Sequence, residues 1–104
     1  MFGLKQEQIA KMINVFSQFP EIEEVIIYGS RAKGNYRSGS DIDLTLKGST
    51  LNLNLLFKIE NALDDILLPY FIDLSIYHTL NNPDLVNHID RVGCKFYSKT
   101  TPTS

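Results

Sequence analysis

Asp41 and Asp43 stand one residue apart in the stretch "YGSRAKGNYRSGSDIDL", residues 28–44. The two charges repel, and a stable fold does not need them together; a cation is what such a pair can hold. On a strand, alternate side chains share a face and their Cα atoms lie about 6.5–7 Å apart, so both carboxylates can converge on one or two divalent ions. A solvated strand face would also carry a lone D-x-D, so the doublet needs company, and it has two kinds. Gly29-Ser30 precedes it at the end of an apolar run. A glycine there lets backbone approach a ligand closely, and a serine hydroxyl with the N–H groups of a following helical turn suits phosphate oxygens. Arg31, Lys33 and Arg37 lie nearby as counter-charges, although a plain strand-to-helix turn would use the same residues. The second companion is Asp73, set in "FIDLS" among apolar neighbours, where an unpaired buried charge would be costly. If residues 70–77 form a strand beside 41–47, the three carboxylates make a two-metal site. One ion would bridge nucleotide phosphates and the other would activate an attacking hydroxyl, with Asp73 closest to that hydroxyl.

These residues need elements to hold them. Ile9, Met12, Ile13 and Phe16 repeat at i, i+3, i+4, i+7 and predict an amphipathic helix over 5–18, stopped by Pro20. "IEEVIIYG" predicts a buried strand ending at Gly29, and "SRAKG" one short helical turn. "DIDLTLK" alternates: Ile42, Leu44 and Leu46 face one way, and Asp41, Asp43, Thr45 and Lys47 the other, which predicts a half-buried strand. A helix follows over 51–67 on the stripe Leu56, Ile59, Leu63, Ile66, Leu67, then a strand "YFIDLSIY". "NPDLVNHIDRVG" predicts a helix opened near Asn82 with Pro83 in its first turn, and "CKFYS" an edge strand. The tail from about residue 99 is expected to fray. The order predicts an α/β (α+β) fold, a small mixed sheet with helices packed on it, in one domain spanning residues 1–104.

Composition narrows the classes. A formal charge of −2 argues against coating nucleic acid by charge alone, which leaves nucleic acid only as an acceptor. The single cysteine, Cys94, excludes an intrachain disulfide and a cysteine-paired zinc site. No leader or membrane-length apolar run is present, so a cytoplasmic location and no membrane partner are expected. His78 and His88 show no metal-ligand spacing and read as surface or capping residues. Tyr36, Tyr70 and Tyr77 are candidates for a contact surface, or are ordinary half-buried tyrosines.

Gly29-Ser30, ten residues, Asp41-x-Asp43 and a later strand-borne aspartate resemble the DNA polymerase β-like nucleotidyltransferase superfamily. The match is to its minimal nucleotidyltransferases, the MNT proteins, whose signature G-S-x10-D-x-D fits without a gap. "GSRAKGNYRSGSDIDL" is also similar to their fuller pattern, and the likeness covers about residues 5–98. It implies a polymerase β-like core in which Gly29 and Ser30 hold the phosphates of a nucleoside triphosphate, with Arg31 and Ser40 beside them. It implies that Asp41, Asp43 and Asp73 bind two Mg²⁺ ions, for which Mn²⁺ can substitute. The reaction implied is transfer of a nucleoside monophosphate, expected to be AMP from ATP, to a hydroxyl with loss of pyrophosphate.

MNT proteins commonly pair with a small helical HEPN or HEPN-like protein, in the best understood cases as an antitoxin that adenylylates its toxin. The stretch from Leu68 to Tyr97 is similar to a branch whose partner is a substrate-binding protein with an unassigned acceptor. Larger relatives carry an acceptor-binding domain, and none is seen in these 104 residues. The acceptor site is therefore expected on a partner, or the partner is itself the acceptor. The alternative is a weakly catalytic or non-catalytic module that neutralises its partner by occlusion. Three intact carboxylates argue for the enzyme. Modification of a small molecule is a weaker third reading.

Overall fold

The structure, a computed structural model, describes residues 1–37 and 39–99. Helix α1 (Gln6–Ser17) opens where the Lys5 N–H donates to the Gln8 side-chain oxygen at 2.9 Å. Strand β1 (Glu24–Tyr28) follows, then the single turn α2 (Ser30–Lys33) and strand β2 (Ile42–Lys47). Helix α3 (Leu53–Asp64) is capped by Asn52, whose Oδ1 accepts the Leu55 N–H at 2.9 Å. Strand β3 (Ile72–Ile76) runs into a 3₁₀ turn, Tyr77–Thr79. Helix α4 (Pro83–Val92) starts as its sequence predicts: Asn82 Oδ1 accepts the N–H groups of Asp84 and Leu85, and Pro83 fills a position that needs no donor. Strand β4 (Cys94–Ser98) is last.

The four strands form a mixed sheet in the order β3-β2-β1-β4. β1 pairs antiparallel with β2 and β4, while β2 and β3 run parallel. Alternation sends Val25, Ile27, Ile42, Leu44, Leu46, Leu74 and Ile76 to one face. There they form a single core with Met12, Val15 and Phe16 of α1 and Ile59 and Leu63 of α3. α4 covers the opposite face over β1, burying Ile89 outside that core.

Three expectations need correction. The second face of β2 is only partly open to solvent: Asp43 and Lys47 are half-buried, while Thr45 is fully buried and accepts a 3.0 Å hydrogen bond from Ser75 on β3. α3 ends at Asp64, so Leu67 does not join its stripe; it takes a left-handed φ of +53° in the turn and is 85% exposed. The expected fraying from about residue 99 falls almost wholly outside the described residues. Lys99 itself is held, donating its N–H to Glu23 O at 2.9 Å and its Nζ to Pro20 O at 3.0 Å. No helix among the described residues is long and apolar enough to cross a membrane.

Candidate active site

The condition set by the sequence is met by the topology. β2 and β3 are neighbours, and their parallel register places Asp43 directly opposite Asp73. Both carboxylates project from the face opposite the main core. Asp41 precedes β2 and is exposed. The cost of this grouping falls on Asp43. Burial pushes its carboxyl pKa above the ordinary carboxylate value, and Asp73 and Asp41 push it further, with His88 opposing.

Gly29 closes the near side. It joins β1 to α2 at φ +75°, ψ −152°, a conformation that L side chains rarely adopt. A Cβ there would also run into the Asp43 carboxylate. The glycine therefore serves two needs at once, the turn and the close approach of backbone to Asp43. Ser30, half-buried, begins the short helical turn beside it.

Arg31 and Ser40 sit in this neighbourhood but are engaged elsewhere. Arg31, expected as a phosphate counter-charge, is only 2% exposed. Its Nε and Nη2 donate to the Ser40 carbonyl at 3.1 and 2.6 Å, and its Nη1 donates to the Phe2 carbonyl at 2.9 Å. The guanidinium carbon lies 5.4 Å from the centre of the Tyr36 ring and 4.7 Å from that of Tyr70. The side chain thus ties together the N-terminal segment, the loop just before Asp41 and the approach to Asp73. Ser40 is likewise used by the fold, since its hydroxyl accepts the Arg37 N–H at 2.8 Å. Lys33 and Arg37 remain exposed as cations of this loop. Of the tyrosines named as candidates for a contact surface, Tyr36 is exposed and Tyr70 half-buried, each with one ring face toward Arg31. Tyr77 is engaged as well: its hydroxyl donates to Asp90 at 2.7 Å, and Lys47 Nζ lies 4.6 Å from its ring centre.

Sequence reasoning missed the residues that frame the carboxylates. Tyr28 pairs with Asp43 across β1 and β2 and is buried. Burial raises its hydroxyl pKa, the neighbouring Ser75 hydroxyl partly opposes this, and Asp73 and Asp43 raise it further. His88, set aside as a surface residue, lies edge-on to Tyr28 with ring centres 6.3 Å apart. Its place beside Ile89, the buried residue of α4, was the available signal.

Residues 10–101 match the family described as polymerase beta nucleotidyltransferase. The chain belongs to this family. Solved structures agree on the fold. A chain of a toxin–antitoxin complex crystallised with AMP-PNP is 20% identical with a TM-score of 0.68, over 92% of this chain and 75% of that one. A chain from the complex of the tri-AMPylated Shewanella oneidensis HEPN toxin with its MNT antitoxin is 17% identical with a TM-score of 0.67, over 92% and 74%. A putative nucleotidyltransferase from Sulfolobus solfataricus is 23% identical with a TM-score of 0.50, over 93% and 92%. Comparison with the curated proteins finds no match.

Nucleotidyltransferases generally use divalent metals, and the donor set here is compatible with one. All three candidate ligands are carboxylates, the hard oxygen donors such ions prefer. Burial first, and then the charges of Asp73 and Asp41, raise the pKa of Asp43, and a cation bound there would offset both. Among the described residues no three His, Cys, Asp or Glu side chains are already gathered closely enough to hold an ion. Further ligands would therefore come from phosphate oxygens and water.

Proposed function

We propose that this chain transfers a nucleoside monophosphate, AMP from ATP, to a hydroxyl on a partner polypeptide of the helical HEPN type, as the antitoxin of a toxin–antitoxin pair. The observation that carries the reading is the parallel pairing that sets Asp73 against Asp43, with Gly29 pressed on Asp43, in a nucleotidyltransferase chain. Gly29 and Ser30 receive the triphosphate, with Lys33 and Arg37 as its nearest exposed cations. Asp41, Asp43 and Asp73 would hold Mg²⁺ ions, with Mn²⁺ as a substitute, and these supply charge neutralisation and activation of the acceptor. The acceptor oxygen bonds to the α-phosphorus, the α–β phosphoanhydride bond breaks, and pyrophosphate leaves. Asp73 would receive the hydroxyl proton.

The structures that resemble this fold favour a protein acceptor, since one of them holds an AMPylated HEPN toxin beside an MNT antitoxin. The test uses the chain co-expressed with the product of the gene beside its own. The pair is incubated with α-labelled ATP and Mg²⁺, with Asp41→Ala/Asp43→Ala as control, and the label is located by intact mass. Adenylyl units on the partner that vanish in the control support the proposal. A stable complex that carries no label supports neutralisation by occlusion instead.

A further inference from the structure

The face of α3 beside its buried stripe carries an unusual set of side chains. Leu53, Phe57, Glu60 and Asp64 recur at i, i+4, i+7 and i+11, which aligns them along one side of the helix. Leu53 and Phe57 are 60% and 53% exposed. The line runs into a groove of about 450 Å³ between the end of α3 and β3, where Leu67 and Phe71 stand largely exposed. Asp73 is among the residues that line the same groove, so this surface is continuous with the candidate active site.

The strand beside the groove has a free edge. β3 borders only β2. Because the Ile42 N–H donates to the Phe71 carbonyl, Phe71, Asp73 and Ser75 turn their backbone groups toward β2. The N–H and C=O of Ile72 and Leu74 therefore point outward, into the groove. Among the described residues no ion pair neutralises Glu60 or Asp64.

Resting on the proposed transfer to a protein hydroxyl, we infer that the groove receives an extended segment of the partner with apolar and cationic side chains, which pairs with the edge of β3 and leads its hydroxyl to Asp73. The apolar side chains cover Phe71, Leu67 and Phe57. The cations meet Glu60 and Asp64. The strand pairing fixes the direction in which the hydroxyl reaches the carboxylates.

The test uses short synthetic peptides alternating apolar residues with arginine around a central tyrosine. Their counterparts have glutamate for arginine, and a single-stranded RNA oligomer serves as a third probe. Anisotropy reads affinity, and hydrogen exchange reads the Leu74 amide. The arginine peptide is expected to bind and to protect Leu74. Glu60→Lys/Asp64→Lys and Phe71→Ser are each expected to weaken it roughly tenfold, with AMP-PNP affinity unchanged. Equal binding of both peptides, preference for RNA, or affinity unmoved by the variants overturns the inference. So does a dimer of the chain that Phe71→Ser dissolves, since a second copy would then be the occupant. If the partner is adenylylated at the wild-type rate by both groove variants, the groove fails while the transfer stands. If the partner takes no label yet the peptide results hold, the transfer fails and the groove stands.

Discussion

Arg31→Ala separates two roles that the sequence left merged. Arg31 donates three hydrogen bonds to two carbonyls, those of Ser40 and Phe2, and stacks against two tyrosines while 2% exposed. A hydrogen bond from a charged donor contributes about 1.5–3 kcal/mol, so leaving the two acceptors unpaired costs about 3–4 kcal/mol. The two ring contacts add roughly 1 kcal/mol, and removing a buried charge returns part of the total, for a net loss of about 3 kcal/mol. A domain of this size has about 5–15 kcal/mol in all, so the variant is expected to fold but to melt early. Arg31→Lys keeps the charge and loses the fork, and is expected to cost about 1–2 kcal/mol.

Urea denaturation followed by far-ultraviolet circular dichroism gives the stabilities. Calorimetry with AMP-PNP, run where each variant is folded, gives the affinities. As an anchor, Arg31 shows its effect first in stability, and Lys rescues most of it. A phosphate ligand behaves otherwise: stability shifts by less than about 0.5 kcal/mol, while affinity falls at least roughly tenfold with Ala. That second pattern would refute the anchoring argument.

Gly29→Ala is expected to cost about 1–3 kcal/mol through backbone strain and to abolish transfer, because the new Cβ meets the Asp43 carboxylate; stability and transfer assays on one preparation check both. Asp43→Asn is expected to raise the Tm of the metal-free chain at neutral pH while abolishing transfer, since it removes a charge that burial, Asp73 and Asp41 all disfavour. Because the folded pKa of Asp43 is raised, its contribution to stability is fully present below the unfolded value of about 3.9 and is lost as pH rises through the folded value. Melting scans across that window should therefore show the Asn variant's advantage appear as pH rises. Mg²⁺ should stabilise the wild type by about 2.7 kcal/mol at a hundredfold excess over its Kd, and far less in Asp43→Asn, as a melting titration would show.

Much of the fold was legible because its signals are local. Pro83 after Asn82 announces α4, and the alternation through Ile42, Leu44 and Leu46 announces β2. What stayed hidden depends on strand neighbours. Thr45 looks like a surface residue until β2 is known to be interior, and only then does Ser75 become its partner. Leu67 continues a helical period by spacing, yet the chain has already turned at Asp64 and Asp65. The surroundings of Arg31 are hidden for a related reason. A cation next to Gly29-Ser30 suits a phosphate by sequence alone, and only the folded loop brings the Ser40 and Phe2 carbonyls to it. For His88, the neighbouring Ile89 hints at a packed helix face, but only the fold shows that Tyr28 lies against its ring.

Among the described residues no ion pair neutralises the acidic site. Arg31, the buried cation of the loop before the carboxylates, spends its charge on backbone carbonyls, and Lys47 lies over the ring of Tyr77. The one ion pair among the described residues, Lys95 with Glu24 at 3.2 Å, is at the opposite end of β1 from Tyr28 and Asp43. Asp43 meanwhile sits partly buried within the field of Asp73 and Asp41. Such an arrangement weakens the empty fold, and whatever cation enters recovers that free energy as affinity. The same reasoning extends along the groove, where Glu60 and Asp64 form no ion pair among the described residues. Divalent ions and a cationic segment would each relieve a different part of one acidic surface. Binding of either one should then weaken the attraction for the other only where their fields overlap, at Asp73.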